Sequence, residues 1–236
     1  ILDTIRSNSS PAVMGSRLED YHENDLADVL PLLTVPERCK LYRILDTDML
    51  SDIFEYAESD NVAEYLEEMD VKKAASILSK METDALEQMK GFYDQFEGEL
   101  EGHALVPEDL KGGARGIGSY FRKLRDGRLT DKDVLNATLQ NSLADAKNWT
   151  TKTSSRKDEI IRLAETSLIP LLQDAERLRP QKSRTINSCR LSLQHLNKLQ
   201  LLNHIDEEVR TLNREHNRFL LSDTNALLHK LVHEGD

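Results

Sequence analysis

The chain has 236 residues, of which 39% are hydrophobic, 5% aromatic and 31% charged. All of its formal net charge of −11 lies in residues 1–86, where 8 basic residues stand against 19 acidic ones, while residues 87–236 hold 23 of each. The sequence contains no run of about 20 apolar residues and no basic segment leading into an apolar one at its N-terminus, which argues against membrane insertion and secretion. Length and the step in charge therefore predict a cytoplasmic protein of two domains, residues 1–86 and 87–236.

The first domain is predicted to be a series of short helices. The first helix begins at Asp25, and the second begins at Thr34, where Glu37 three residues later completes a capping-box pattern. Each further predicted start is followed by apolar residues three and four positions apart. These starts are Asp46 or Thr47, Ser59 or Asp60, Asp70, and Thr83. Helices of this length are unstable alone in water, so we expect them to stack into a superhelix.

Three blocks of this domain carry a family resemblance: His22–Leu30, Pro36–Leu45 and Lys73–Asp84. In this order they resemble the cytosolic N-terminal domain of MgtE-type magnesium transporters, over residues 3–85. The resemblance implies a magnesium-sensing regulatory element that divalent ions hold against an acidic neighbour. The sensor-like domains and membrane pore that follow in that family do not follow here, so these transporter domains would be missing partners.

Four acidic residues of this domain are weak candidates for binding Mg²⁺ through solvated carboxylates: Glu64, Glu67, Glu68 and Asp70. The alternative is a solvated helix face, because a hard cation usually needs ligands from a second surface. We expect no tightly bound cofactor, and Mg²⁺ is the one ion that the acidic composition suggests.

The second domain is predicted to form a bundle of longer helices. They lie over residues 87–100, around Tyr120 and Phe121, from Thr130 towards Trp149, over 156–179, and over 185–221. Pro170 is expected to kink the fourth helix. The last helix carries apolar residues at alternating spacings of three and four, a pattern typical of a helix packed on a partner helix. The predicted fold class is thus all-α, a short-helix superhelical module followed by a long-helix bundle.

Four blocks of the second domain carry another resemblance: Gly116–Leu124, Trp149–Lys152, Leu199–Val209 and Phe219–Leu228. They resemble the helical 1B insertion of UvrD/RecB-like helicases of the bacterial exonuclease type. The resemblance implies a DNA-contacting accessory domain, with the remaining helicase domains as missing partners. The glycine-rich segment 112–118 lacks the lysine of a phosphate-binding loop, and the Asp-Glu strand of such enzymes does not appear, so we expect no catalysis.

A basic run without an intervening acid supports the DNA interpretation. Its members are Arg177, Arg179, Lys182, Arg184, Arg190 and Lys198. Cations arranged along an exposed helix would neutralise DNA phosphates and bind without sequence preference. The alternative is an ordinary solvated face.

Three weaker features have plainer explanations. His229 and His233 lie one helical turn apart, as zinc ligands can, but no third ligand is evident, so a structural or surface role is favoured. Trp149 and Phe121 could stack a nucleic-acid base, and core packing is the favoured alternative. The two cysteines of the chain lie in opposite halves and are expected to be free thiols.

The sequence therefore predicts a non-catalytic bacterial protein that contacts DNA as an accessory domain. Magnesium-sensing regulation of an MgtE-type transporter is the first alternative. A chimeric or truncated frame without a function of its own is the second.

Overall fold

The computed structural model describes residues 1–7 and 9–216, and within these ranges it contains helices and no β-strand. This confirms the predicted all-α class. The helices are α1 (Leu2–Arg6), α2 (Pro11–Leu18), α3 (Glu23–Val29), α4 (Val35–Ile44), α5 (Thr47–Tyr56), α6 (Ser59–Glu67), α7 (Val71–Gly102), α8 (Gly118–Arg125), α9 (Asp131–Val134), α10 (Ala137–Ala144), α11 (Lys157–Leu163) and α12 (Ile169–Glu215). None of these helices is both long and apolar enough to cross a membrane.

Side-chain caps set the starts of three N-terminal helices. The carboxylates of Asp46 and Asp70 each accept the backbone N–H three residues further on, at 2.8 and 3.0 Å. At the start of α4 the Glu37 carboxylate accepts the backbone N–H and the hydroxyl of Thr34, at 2.8 and 2.9 Å. These bonds satisfy N–H groups that have no partner within the helix, and they confirm the helix starts predicted at these positions.

The helix start predicted at Thr83 is wrong. Helix α7 runs through this residue, whose hydroxyl donates to the carbonyl oxygen of Ser79 at 2.8 Å. A threonine satisfies its hydroxyl inside a helix in this way as readily as at a cap, so the residue type alone does not mark a helix start. As a result, α7 passes without interruption through Leu86, where the predicted domain boundary lies.

Two hydrophobic cores share α7. The first core contains apolar side chains from Ile5 to Ile77, including the buried Phe54 and Leu50. The second core contains side chains from Ala85 to Ile186, around Phe96. The predicted boundary between residues 1–86 and 87–236 thus lies between two cores that a continuous helix joins, and their independent folding stays a prediction.

Aromatic packing in the second core decides the role of two residues. Trp149 is fully buried, and its indole N–H donates to the carbonyl oxygen of Ser142 at 2.9 Å. Phe121 is also fully buried and stacks on Phe96 with ring centroids 4.2 Å apart. Both side chains are core residues, as favoured from the sequence, and neither is accessible to a nucleic-acid base.

The C-terminal helices differ from their prediction. The single helix expected from Thr130 towards Trp149 is divided into α9, α10 and a 3-10 turn. The interruption expected between residues 179 and 185 is absent, because α12 continues through Pro180. One proline removes a single backbone hydrogen bond, and packing on both sides of Pro180 keeps the helix intact. Pro170 is the second residue of α12, which begins directly after a π-helical turn over Ala164–Leu168.

The chain divides into two compact units, Ile1–Ser192 and Leu193–Asp236. Both hydrophobic cores lie in the first unit. The described part of the second unit is helical, and its apolar side chains Leu201, Leu202 and Leu212 are exposed. The predicted zinc-type pair, His229 and His233, and the block Phe219–Leu228 lie outside the described residues.

Candidate functional site

Two of the six predicted DNA-binding cations are buried, which corrects the expectation that the basic run is solvent-exposed. The Arg179 guanidinium donates to both carboxylate oxygens of Glu176, at 2.6 and 3.0 Å, and to the carbonyl oxygen of Leu129 at 2.6 Å. The Lys182 ammonium pairs with the Glu55 carboxylate. Only 2% of Arg179 and 4% of Lys182 is exposed, so neither side chain reaches a DNA phosphate in this structure.

The other four cations are exposed. Arg177 pairs with Asp174 of its own helix at 3.0 Å, and Arg190 pairs with Glu82 of α7 at 2.6 Å. Arg184 lies between them on α12, and Lys198 is exposed in the second unit. Phosphate binding by these four residues stays a prediction.

The four candidate magnesium ligands do not form one site. Glu64, Glu67 and Asp70 are exposed, and the Asp70 carboxylate caps α7. The Glu68 side chain is buried and bound to Arg38. Within the part of the chain that the structure describes, no group of three or more histidine, cysteine, aspartate or glutamate residues is placed to hold a metal ion.

Arg38 and Glu68 form a buried ion pair within the first core. The Arg38 Nε donates to the two carboxylate oxygens at 2.9 and 3.2 Å, its Nη1 donates to the Leu33 carbonyl oxygen at 2.7 Å, and the Tyr42 hydroxyl donates to Glu68 at 3.1 Å. The guanidinium also lies 5.1 Å from the ring centroid of Tyr65. These hydrogen bonds, chiefly those from Arg38, lower the pKa of Glu68, while burial raises the pKa of Tyr42. Every polar group of the cluster is satisfied from within the chain, so its role is structural.

An acidic face lies where α3, α5 and α7 meet. We define it by Glu23, Asp52 and Asp84, and Lys80 pairs with Asp84 across one helical turn at 2.5 Å. Partial burial, together with repulsion from Asp84 and Glu23, raises the pKa of Asp52. Burial is the largest cause of this raised pKa, and the neighbouring carboxylates add to it, while Lys80 acts in the opposite direction.

Helix α12 neutralises other carboxylates of the same N-terminal region. The Lys182–Glu55 and Arg190–Glu82 pairs join it to α5 and α7. Glu55 also contributes to the repulsion felt by Asp52. We call these two ion pairs the α12 junction. The candidate functional site is therefore the acidic face together with the α12 junction.

Sequence reasoning missed these internal partners. Glu68 lies 30 residues from Arg38, and Lys182 lies 127 residues from Glu55, so no local pattern connects the members of either pair. The Glu176–Arg179 pair was detectable in principle, because a spacing of three residues places two side chains on one face of a helix.

Residues 21–89 match the family model of the MgtE intracellular N domain. The match extends from just before α3 into α7 and contains the acidic face as well as the Arg38–Glu68 pair, which confirms the first of the two resemblances. No curated protein and no solved structure matches the chain. No comparison supports the helicase-type resemblance of residues 87–236, and it stays a prediction.

Proposed function

We propose that the chain is a non-catalytic regulatory protein of magnesium transport, with residues 21–89 acting as its MgtE-type intracellular domain. The observation that carries this proposal is the family match over residues 21–89, which coincides with the strongly acidic part of the sequence. This was the first alternative from the sequence, and it now has more support than the DNA-binding function.

The acidic face supplies a physical basis for a response to Mg²⁺. The repulsion from Asp84 and Glu23, which adds to the effect of burial on the pKa of Asp52, falls when a divalent cation enters the surrounding solvent layer or binds between carboxylates. Mg²⁺ gives up its water reluctantly and binds through one or two carboxylates where a closed ligand set is missing. The expected response is therefore weak, in the millimolar range.

The α12 junction links that response to the rest of the chain. Lys182 and Arg190 already neutralise Glu55 and Glu82, at positions where carboxylates would otherwise face solvent. Mg²⁺ competes with these cations for the carboxylates and so changes how firmly α12 is held. In the proposed function, the chain therefore reports the Mg²⁺ concentration through the strength of the contact between α12 and helices α5 and α7.

The test is a titration of the full chain with MgCl₂ at constant ionic strength, followed by thermal unfolding. Ligand linkage predicts stabilisation of about 1.4 kcal/mol at a Mg²⁺ concentration roughly ten times the dissociation constant. Asp52→Asn reduces this response, because it removes the charge most affected by the repulsion. Asp94→Asn on α7 is the matched control, since Asp94 is exposed and lies outside the acidic face.

Two results contradict the proposal. One is a Mg²⁺ response equal to that of NaCl at the same ionic strength, which indicates general screening. The other is an Asp52→Asn variant that responds as strongly as Asp94→Asn and the unmodified chain, which excludes the acidic face.

A further inference from the structure

A cavity of about 620 Å³ lies between α12 and the wall formed by α5, α6 and α7. All of its lining residues belong to the compact unit Ile1–Ser192. Its volume falls within the range of about 300–1,000 Å³ that is typical of small-molecule sites. One lining residue, Glu55, belongs to the α12 junction, and the other lining residues have no part in the proposed magnesium response.

The two walls of the cavity differ in chemistry. The wall from α5 to α7 is largely apolar and includes Phe54, Leu66, Leu78 and Met81. The α12 wall carries the hydroxyls of Thr185, Ser188 and Ser192 together with the Arg184 guanidinium. Water in such a space meets hydrogen-bonding groups on one side only, so its displacement from the apolar wall is favourable.

Among the described residues, the cavity lining contains one carboxylate, Glu55, and one guanidinium, Arg184. The Glu55 carboxylate is paired with Lys182, so it does not neutralise Arg184. Arg184 lines the cavity and is exposed, and its Nε donates to the Pro180 carbonyl oxygen of its own helix at 3.3 Å. Among the described residues, no carboxylate lies within ion-pair distance of Arg184.

An apolar side chain two helical turns further along the same wall is also incompletely buried. Leu191 lines the cavity from α12, yet 58% of its surface is exposed. A cavity lined by an exposed leucine and by a guanidinium without a carboxylate partner among the described residues matches a ligand that carries both a hydrocarbon chain and an anionic group.

We propose that this cavity binds a medium-chain carboxylate, such as a fatty acid anion, with its hydrocarbon chain on the apolar wall and its carboxylate at Arg184. A guanidinium binds a carboxylate through two parallel hydrogen bonds, and the neighbouring hydroxyls on α12 offer further donors. A phosphorylated ligand fits less well, because its higher charge needs more than one cation.

The experiment is isothermal titration calorimetry of the full chain with sodium octanoate, decanoate and dodecanoate, each below its micelle-forming concentration. Burial of the hydrocarbon predicts that affinity rises about fourfold for each added methylene. The alcohols of the same chain length bind at least about tenfold more weakly, because they lack the charge-assisted hydrogen bonds to Arg184.

Arg184→Gln tests the cation directly. It is expected to weaken decanoate binding about tenfold and to abolish the preference for the acid over the alcohol. Arg177→Gln is the matched control, because it removes the same charge from the same helix outside the cavity and leaves decanoate affinity unchanged. Ser188→Trp places a large side chain at an exposed position of the cavity lining and abolishes binding while circular dichroism remains unchanged.

Cys189 provides a second readout from inside the cavity. Its thiol lines the cavity, and burial raises its pKa to about 11. In a Cys39→Ser background it is the single thiol of the chain. Saturating decanoate is expected to slow its reaction with methyl methanethiosulfonate by at least about tenfold, as for a group covered by a ligand.

Three outcomes overturn the proposal: no heat of binding with dodecanoate, equal decanoate affinity in the Arg184→Gln and Arg177→Gln variants, or unchanged Cys189 reactivity with bound decanoate. Failure of the magnesium titration leaves all three measurements unaffected, so the two proposals fail separately.

Discussion

Replacing Arg38 with methionine should destabilise the first core strongly. Arg38 and Glu68 have side chains that are only 8% and 9% exposed. Arg38→Met leaves the Glu68 carboxylate buried without its cation and the Leu33 carbonyl oxygen without its donor. Removal of one member of a buried ion pair costs about 3–5 kcal/mol. For a unit of this size that loss corresponds to a decrease in Tm of about 6–20 °C.

The assay is thermal and urea unfolding followed by circular dichroism. Arg43→Met is the matched control, because Arg43 lies on the same helix, is exposed and should tolerate the same change within about 0.5 kcal/mol. The double variant Arg38→Met/Glu68→Leu should recover most of the loss, since well-packed apolar residues often replace a buried ion pair without cost. The Tyr42 hydroxyl then loses its acceptor, so recovery stays incomplete.

The pH dependence checks the same pair. The pKa of Glu68 is lowered by its hydrogen bonds in the folded state, so its stabilising contribution is present above the unfolded value of about 4.3 and is lost as the pH falls through the folded pKa. A loss below about 1 kcal/mol for Arg38→Met, or a double variant that loses the sum of both single changes, would refute the buried-pair argument.

Further predictions concern other well-defined contacts. Arg179→Met should lower the free energy of unfolding in urea by about 3–5 kcal/mol, because Arg179 is buried. Arg177→Met, on the exposed side of the helix, should change it by less than about 0.5 kcal/mol. Equal effects would contradict the assigned burial. Gly116→Ala should destabilise the protein by about 2 kcal/mol or more, because the added Cβ would lie 2.1 Å from a backbone oxygen. Gly91→Ala should stabilise α7 by about 0.8–1.0 kcal/mol, because nothing lies within 4 Å of its added Cβ. A tolerated Gly116→Ala would disprove the close approach. Hydrogen bonds from Arg6 and Thr34 lower the pKa of Glu37 to about 2, so its contribution to stability should be present above about pH 4.3 and disappear as the pH falls towards 2. An NMR titration midpoint for Glu37 near its ordinary value would contradict this assignment.

Local signals in the sequence were sufficient for most helix starts. Asp46, Asp70 and Glu37 were identified because a capping carboxylate acts on backbone groups three residues away, and that interaction depends little on the rest of the fold. Thr83 was misassigned because a threonine hydroxyl has a second local partner, the carbonyl oxygen four residues before it. Packing decides whether such a threonine caps a helix or lies inside one, and the local sequence pattern carries no information about packing.

The burial of Arg179 and Lys182 had a detectable signal. Buried residues of α12 recur at spacings of three and four, namely Leu172, Ala175, Arg179, Lys182, Ile186 and Cys189. A helix places such positions along one face, so both cations belong to the buried face by register alone. Charge composition obscured this, because a count of basic residues carries no information about which side of the helix each one occupies. Their partners Glu176 and Glu55 explain how the buried charges are tolerated.

The buried face of α12 also explains how two hydrophobic cores belong to one compact unit, Ile1–Ser192. Leu172 and Ile186 belong to the second core, whereas Lys182 reaches α5 and Cys189 lies in the cavity beside Phe54 and Leu78. Consecutive turns of α12 therefore contact different parts of the protein. Along its buried face, apolar residues alternate with a buried lysine and with a residue that lines the cavity. This alternation leaves the contact between α12 and the N-terminal helices weaker than either core, because a cavity removes packing contacts and an ion pair responds to competing cations. We therefore expect a small ligand or a change in Mg²⁺ concentration to alter the structure at low energetic cost where the acidic helices meet α12.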